Sequence, residues 1–384
     1  MKIFDNLQRV TNSKQFIPEI DGLRFIAILS VFLCHMNIFF ILKNLGGYSH
    51  SSTYYSVLNS VTANGSYGVH LFFVISGFIL FLPFAKHYLK NEKKPTLKDY
   101  YLRRLTRIEP PYIIVMFLLF LGGLFVLHQY TLSKGLPSLL ASLTYSHNFF
   151  YGRNTLPLIN SVAWSLEVEV QFYILAPFLA KMFVLNRKAR RWLIVGIIVL
   201  AVILQNLFVL PFYSLYEFIQ YFLAGFLLAD FYISENNLLK NANSAVVFIF
   251  GFFIFCAIWS FRINSNTPII ARIAWDLALP TLILTFYYLV LFTKEWKWIF
   301  SRKILTTIGG MCYTIYLIHN PIIWTFDNLP INRKFSNSYL LDWSIHFFII
   351  GLIVLICSSV FFVLVERPCM KRDWFSNLFS NKKA

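Results

Sequence analysis

Two ionisable residues stand where an apolar helix should carry none. Residues 18–36 read PEIDGLRFIAILSVFLCHM, open the first long apolar run, and include Arg24 and His35. Eleven residues make about three turns at 3.6 residues per turn, so both side chains lie on one helix face. At 1.5 Å per residue they are roughly 16 Å apart along the axis, about half of a ~30 Å hydrocarbon core. With Arg24 near a membrane surface, His35 falls near mid-depth. An ionisable group there costs about 2–3 kcal/mol or more unless it faces protein or water. A histidine so placed can act as a general base, since its ordinary pKa lies near working pH, or as a nucleophile. A structural reading stays open beside these: an arginine that snorkels, and a histidine that hydrogen-bonds a neighbouring helix.

Three further groups could do chemistry. Arg104 and Arg107, in RRLTRIEPPY, share a helix face at a spacing of three. Two guanidinium forks there suit a phosphorylated ligand, or else form a solvated cluster that touches anionic lipid. Glu167 and Glu169, in WSLEVEVQFY, are roughly 200° apart around a helix, so they cannot both face one cavity. Either can also be a helix-start acid that complements the N-terminal dipole. Tyr313, Tyr316 and His319, in YTIYLIHNP, recur at a spacing of three and can line a common wall.

The wording around these residues resembles the membrane-bound acyltransferase 3 family. Asp21, Gly22, Leu23, Arg24, Ala27, Val31 and His35 match its first helix. Gly68, Phe72, Phe73, Ser76, Gly77 and Phe78 match a G-x-x-x-F-F-x-x-S-G-F stretch, in which Ser76 and Gly77 would let helices pack closely. Trp164, Ser165, Leu166, Glu169, Gln171, Phe172 and Tyr173 match W-S-L-x-x-E-x-Q-F-Y. Tyr313, Tyr316, Leu317 and His319 match Y-x-x-Y-L-x-H, with Asn320 where the family often has tryptophan, and Glu366 and Pro368 match a closing E-x-P. The likeness covers about residues 16–370, and the whole chain, 1–384, reads as one integral membrane acyltransferase domain.

The resemblance implies transfer of an acyl group, mostly acetyl, from coenzyme A to the hydroxyl of a surface carbohydrate or related acceptor. It selects Glu169 over Glu167 as a carboxylate that orients a histidine or holds a sugar hydroxyl. It implies His35, Arg24 and Glu169 as catalytic. Arg104, Arg107 and Arg24 would hold the donor's phosphates. Tyr313, Tyr316, His319 and Trp164 would contact the acceptor. The acyl-coenzyme A is a substrate; no tightly bound cofactor and no metal is expected. The rival reading is a transporter or flippase for a lipid-linked sugar, because intramembrane ionisable residues also mark transport pathways.

Composition dictates the elements that must position these groups. The 384 residues are 58% hydrophobic, 19% aromatic and 13% charged, where a soluble domain has about 25% charged residues. Apolar runs of about 20 residues recur, so the fold class is all-α and polytopic. Ten spans are expected, near 22–42, 68–86, 110–128, 162–184, 192–210, 213–233, 245–262, 272–293, 304–325 and 344–366. Residues 136–161 read as a re-entrant or interfacial segment. The first run follows a polar stretch and no cleavage site follows it, so it reads as an uncleaved anchor. None of the five cysteines forms a CxxC pair, which leaves no metal site or disulfide framework to expect.

The net charge of +17 would suggest nucleic acid in a soluble protein; here the positive-inside rule accounts for most of it, with no nucleic-acid partner. With ten spans, the clusters at Lys2–Lys14, Lys86–Arg107, Arg187–Arg191, Lys294–Lys303 and Lys371–Lys383 all fall on the cytoplasmic side, together with both termini. The expected location is a bacterial inner membrane. A cysteine placed at position 95 should therefore be protected from an impermeant thiol reagent added outside, and one at position 50 should be labelled. The reverse pattern would reject this orientation.

Overall fold

The computed structural model describes residues 7–10, 16–42, 53–234, 239, 242–261, 263, 266–326, 334–336 and 338–371. Both termini, and with them Lys2, Lys14, Lys43, Arg372, Lys382, Lys383 and position 50, lie outside the described residues.

Regular structure among the described residues is entirely helical. Among the described residues seven helical stretches are long and apolar enough to cross a membrane: Pro18–Leu42, Leu58–Lys90, Leu97–Val126, Ser161–Val184, Arg187–Leu207, Ile269–Phe292 and Tyr339–Cys369. The protein is thus a polytopic membrane protein. The ten expected runs are all helical, but three depart from the expected length. Ile219–Ser234 and Ser244–Ser260 are shorter apolar helices. The run at 304–325 is two helices, Lys303–Gly310 and Cys312–Thr325, broken at Met311.

In chain order the helices are α1 (Pro18–Leu42), α2 (Thr53–Ala63), α3 (Tyr67–Lys90), α4 (Leu97–Leu121), α5 (Leu132–Leu143), α6 (His147–Tyr151), α7 (Trp164–Leu179), α8 (Arg187–Leu207), α9 (Ile219–Ser234), α10 (Ser244–Ser260), α11 (Ile269–Phe292), α12 (Lys294–Phe300), α13 (Lys303–Gly310), α14 (Cys312–Thr325) and α15 (Tyr339–Phe361). Residues 136–161 hold parts of α5 and all of α6; a 12-residue helix such as α5 rises only about 18 Å, too short to cross.

Helix α4 begins well before the expected apolar run. The Thr96 hydroxyl accepts from the Asp99 backbone N–H at 3.1 Å, an N-cap that starts the helix in polar sequence. The basic stretch holding Arg104 and Arg107 is therefore helical, continuous with the apolar part through Pro110 and Pro111.

Two apolar clusters form the core. One gathers α3, α7, α9 and α11; the other gathers α1, α4, α14 and α15. Helix α1 touches both and packs along α3, α13 and α14. The α3–α9 pair is the most extensive contact in the bundle, and glycines make it possible. A Cβ on Gly77 would strike the Phe222 carbonyl oxygen, and one on Gly225 would strike that of Val74. Lipid supplies no hydrophobic drive between helices, so such close approach carries much of the association energy. The Gly77 of the S-G-F stretch is thus a packing residue, whereas its neighbour Ser76 has a polar partner, described below.

Buried charge adds a second fastening. Asp230, fully buried on α9, pairs with Arg190 and, at 2.6 Å, with Arg191 Nε on α8. Two members of a basic cluster thereby hold helices together, since each buried charge needs its partner. Gly77→Leu should lower stability by about 1–3 kcal/mol or more, because overpacking displaces backbone. Thermal unfolding in detergent checks this; an unchanged midpoint would show that the α3–α9 contact is loose.

Candidate active site

Helices α1 and α14 bring two histidines together. His35 Nδ1 lies 2.9 Å from His319 Nε2, with ring centroids 5.0 Å apart. His319 is completely buried, and its Nδ1 lies 2.9 Å from the Ile315 carbonyl oxygen and 2.8 Å from that of Tyr316. Carbonyl oxygens only accept, so His319 Nδ1 carries a proton. In the neutral ring its Nε2 is then an acceptor, and His35 Nδ1 must donate to it. The remaining nitrogen of His35, Nε2, keeps its lone pair and makes no hydrogen bond among the described residues. His35 is also the half-buried member of the pair. The network fixes both tautomers and leaves one basic nitrogen available near mid-helix.

Residues 160–165 hold α14 in place. Asn160 Nδ2 donates to the Leu317 carbonyl at 2.8 Å, and Asn320 Nδ2 donates to Ser161 Oγ at 2.7 Å. The Tyr316 hydroxyl donates to the Val162 carbonyl at 3.0 Å and pairs with Ser165 Oγ at 2.5 Å. Asn320 is therefore a polar link between α14 and the approach to α7. The Tyr313 hydroxyl donates to the Ile108 carbonyl of α4 at 2.9 Å. Tyr313, Tyr316 and His319 thus tie α14 to three different elements.

The far end of α14 is set by Glu366. Its carboxylate accepts from the Thr314 backbone N–H at 3.2 Å and the Thr314 hydroxyl at 2.5 Å. An acid at a helix N-terminus meets unsatisfied N–H groups and the positive end of the dipole. The break at Met311 creates that N-terminus. Just before the break, Gly309 lets α13 lie against α1, since a Cβ there would strike the Asp21 carbonyl oxygen.

The two glutamates of α7 diverge. Glu167 accepts from the Asn148 backbone N–H at 2.9 Å, and the N–H groups of His147 and Phe149 also reach it, so it caps α6. Glu169 accepts from Ser76 and Tyr173, and its charge acts on Arg24 and Arg104. His35 has His319 as its partner, not Glu169. Arg104 stacks over the Tyr100 ring at 3.7 Å and donates to the Tyr100 carbonyl at 2.5 Å. The charge of Arg107 instead acts on Arg9, Glu366 and Cys312. The Trp164 ring lies 5.3 Å from that of Tyr213 and 5.6 Å from that of Phe218.

Arg24 is held by Asp21, buried on the same helix, at 2.5 Å. Asp21 is a site residue that sequence reasoning left without a role, although its spacing of three from Arg24 is the signal for a helical ion pair. Arg9, which the sequence marked only as one charge of the basic cluster before the first span, reaches the same Asp21 oxygen at 3.1 Å. No three His, Cys, Asp or Glu residues converge as a metal site among the described residues.

Residues 17–363 match the acyltransferase domain of the acyltransferase 3 family. The chain belongs to this family. It is similar to the O-acetyltransferase OatA of Staphylococcus aureus (strain NCTC 8325), 23% identical over 411 residues that take in 100% of this chain and 62% of that protein. It is also similar to the peptidoglycan O-acetyltransferase OatA of Listeria monocytogenes, 25% identical over 217 residues, 53% of this chain and 31% of that protein. The chain spans less than two thirds of the length of these relatives. No solved structure matches it. Family membership does not favour the transporter reading.

In this acyltransferase 3 domain the histidine pair joins α1 to α14, Glu169 of α7 meets Ser76 of α3, and Asp21 of α1 meets Arg24 and Arg9. Tyr316→Phe should lower stability by about 1–3 kcal/mol, because the buried Val162 carbonyl and Ser165 hydroxyl lose a partner. Thermal midpoints in detergent check this; a loss below a few tenths of a kcal/mol would show that water replaces the hydroxyl.

Proposed function

We propose that the protein transfers an acyl group, acetyl in the simplest case, from cytoplasmic acyl-coenzyme A to a hydroxyl of a cell-surface carbohydrate. Family membership and the named activities of the relatives support the reaction class. The observation that carries the mechanism is the His35–His319 pair, which leaves His35 Nε2 as a base without a partner among the described residues.

In the reaction, His35 Nε2 takes the proton of the acceptor hydroxyl as its oxygen attacks the thioester carbonyl. The C–S bond breaks, the thiolate of coenzyme A leaves, and it recovers the proton from the imidazolium. The new bond is an ester, and His35 returns to its starting form. His319 is a positioning residue: its Nε2 accepts from His35 Nδ1 throughout, as the aspartate does in a Ser-His-Asp triad. Glu169, whose charge acts on Arg24 and Arg104, holds that part of the bundle in register with the donor, and Tyr313 and Tyr316 hold the wall behind the acceptor. Trp164 offers an aromatic face for a sugar, on the side of Tyr213 and Phe218. The donor's phosphates bind at the arginine end of α1, on the cytoplasmic side of a bacterial inner membrane. Its thioester reaches His35, and the acceptor meets it from the other side.

Purified protein with acetyl-coenzyme A and an acceptor glycan tests this, by thiol release and by mass of the product. His35→Gln should reduce transfer by about 10²–10⁴-fold, since glutamine keeps a hydrogen bond but takes up no proton. His319→Ala should also reduce kcat strongly, while His319→Gln, which can still accept from His35 Nδ1, should retain more activity. Near-normal transfer by His35→Gln would move the base elsewhere, and equal loss in both His319 variants would reject the acceptor role.

A further inference from the structure

Arg9 lies before the residues that match the family and has no part in the reaction as written. We propose that Arg9 is a third phosphate ligand for the acyl donor, completing one anion site with Arg24 and Arg107. The inference rests on the donor reading above and extends the site to the segment that precedes α1.

The charges at this end do not balance. A single oxygen of Asp21 serves both Arg9, at 3.1 Å, and Arg24, at 2.5 Å. Arg107 makes no hydrogen bond or ion pair among the described residues. Its charge, together with that of Arg24, acts directly on Arg9. The charges of Arg107 and Arg9 act on Glu366, but its bonds go to Thr314, and its second oxygen is buried without a partner. With Glu169 and Arg104 counted beside them, four guanidinium groups meet three carboxylates. Each guanidinium has five N–H donors. Arg9 and Arg24 each use one, on Asp21, and Arg9 Nε is buried without a partner. A phosphate monoester or diphosphate offers the missing charge and several acceptors in the fork geometry that arginine matches.

Arg9 is also fixed in position. Arg367 Nε donates to the Gln8 carbonyl at 3.3 Å, and Leu7 and Val10 pack against the α1/α14 core. The Arg9 backbone runs beside Gly310, at the break that precedes α14. A cation held this way loses little freedom on binding, which favours affinity. The phosphate end of the donor thus lies against the N-terminal segment, and its acyl end extends along α1 toward His35.

The test compares wild type with Arg9→Gln, Arg9→Lys and Arg107→Gln. KM and kcat are measured for acetyl-coenzyme A, and coenzyme A binding is measured by calorimetry. Arg9→Gln should raise KM and weaken coenzyme A binding by about tenfold or more, with kcat little changed. Arg107→Gln should do the same, and Arg9→Lys, a point charge without the fork, should fall between. Arg9→Lys also keeps the pairing with Asp21, so it separates ligand binding from folding. Equal coenzyme A binding by wild type and Arg9→Gln, with only a lowered thermal midpoint, would overturn the assignment and leave Arg9 as a counter-ion for Asp21. Wild type that binds coenzyme A but releases no thiol would instead sink the transfer reading alone.

Discussion

A hydrogen bond between two imidazole rings inside an apolar bundle constrains much of this structure. Polar groups at that depth must find partners within the protein, because lipid offers none. The direction of the bond is set from one side only. The carbonyls of Ile315 and Tyr316 can accept but not donate, so they fix the proton on His319 Nδ1, and the His319 ring then fixes the proton on His35 Nδ1. Helix backbone thus decides which nitrogen of His35 is basic. A carboxylate in place of His319 would do the same for the tautomer but would bring a charge to mid-depth. A neutral ring as orienting group keeps the resting pair uncharged.

This relay works only when α14 has the right depth and rotation, and several features of the chain serve that end. The break at Met311 frees an N-terminus for Glu366, so the cap at Thr314 sets the height of His319 little more than one turn further along. The bonds from Asn160, Ser161, Val162 and Ser165 then fix its rotation. An unbroken span over 304–325 would give α14 no free N–H groups to cap. That interruption is the physical reason that the run at 304–325 does not form one continuous span.

The sequence carried the elements better than their partnerships. Composition and apolar runs located the helices, because a lipid environment demands long apolar segments. His35 and His319 each stood out as a polar residue in an apolar run, yet 284 positions separate them, and only tertiary packing joins them. Glu167 and Glu169 were legible as divergent from helical geometry alone. The early start of α4 was written in Thr96 and Asp99, a capping signal that a scan for apolar residues passes over. Trp164 matched a motif, but its ring packs on Tyr213 and Phe218, which no local pattern encodes. Arg9 was legible only as one charge of the basic cluster before the first span, with nothing local to tie it to Asp21.

Charge is distributed along α1 in a way that suits a donor with a charged head and an uncharged reacting end. The arginines gather where α1 begins, and the neutral histidine pair sits about three turns further on. Phosphates brought to the depth of His35 would need counter-charges buried in the middle of the bundle, where each ion carries a desolvation penalty of several kcal/mol. Separating the two ends avoids that penalty but demands a fixed spacing. Helix α1 supplies it: no glycine or proline interrupts residues 24–35, and the one hydroxyl among them, Ser30, donates back to the Ile26 carbonyl at 2.7 Å. Sharp kinks need proline, glycine or an inserted group, so the distance from Arg24 to His35 is set by helical backbone, while Asp21 holds Arg24 at the other end of the same rod.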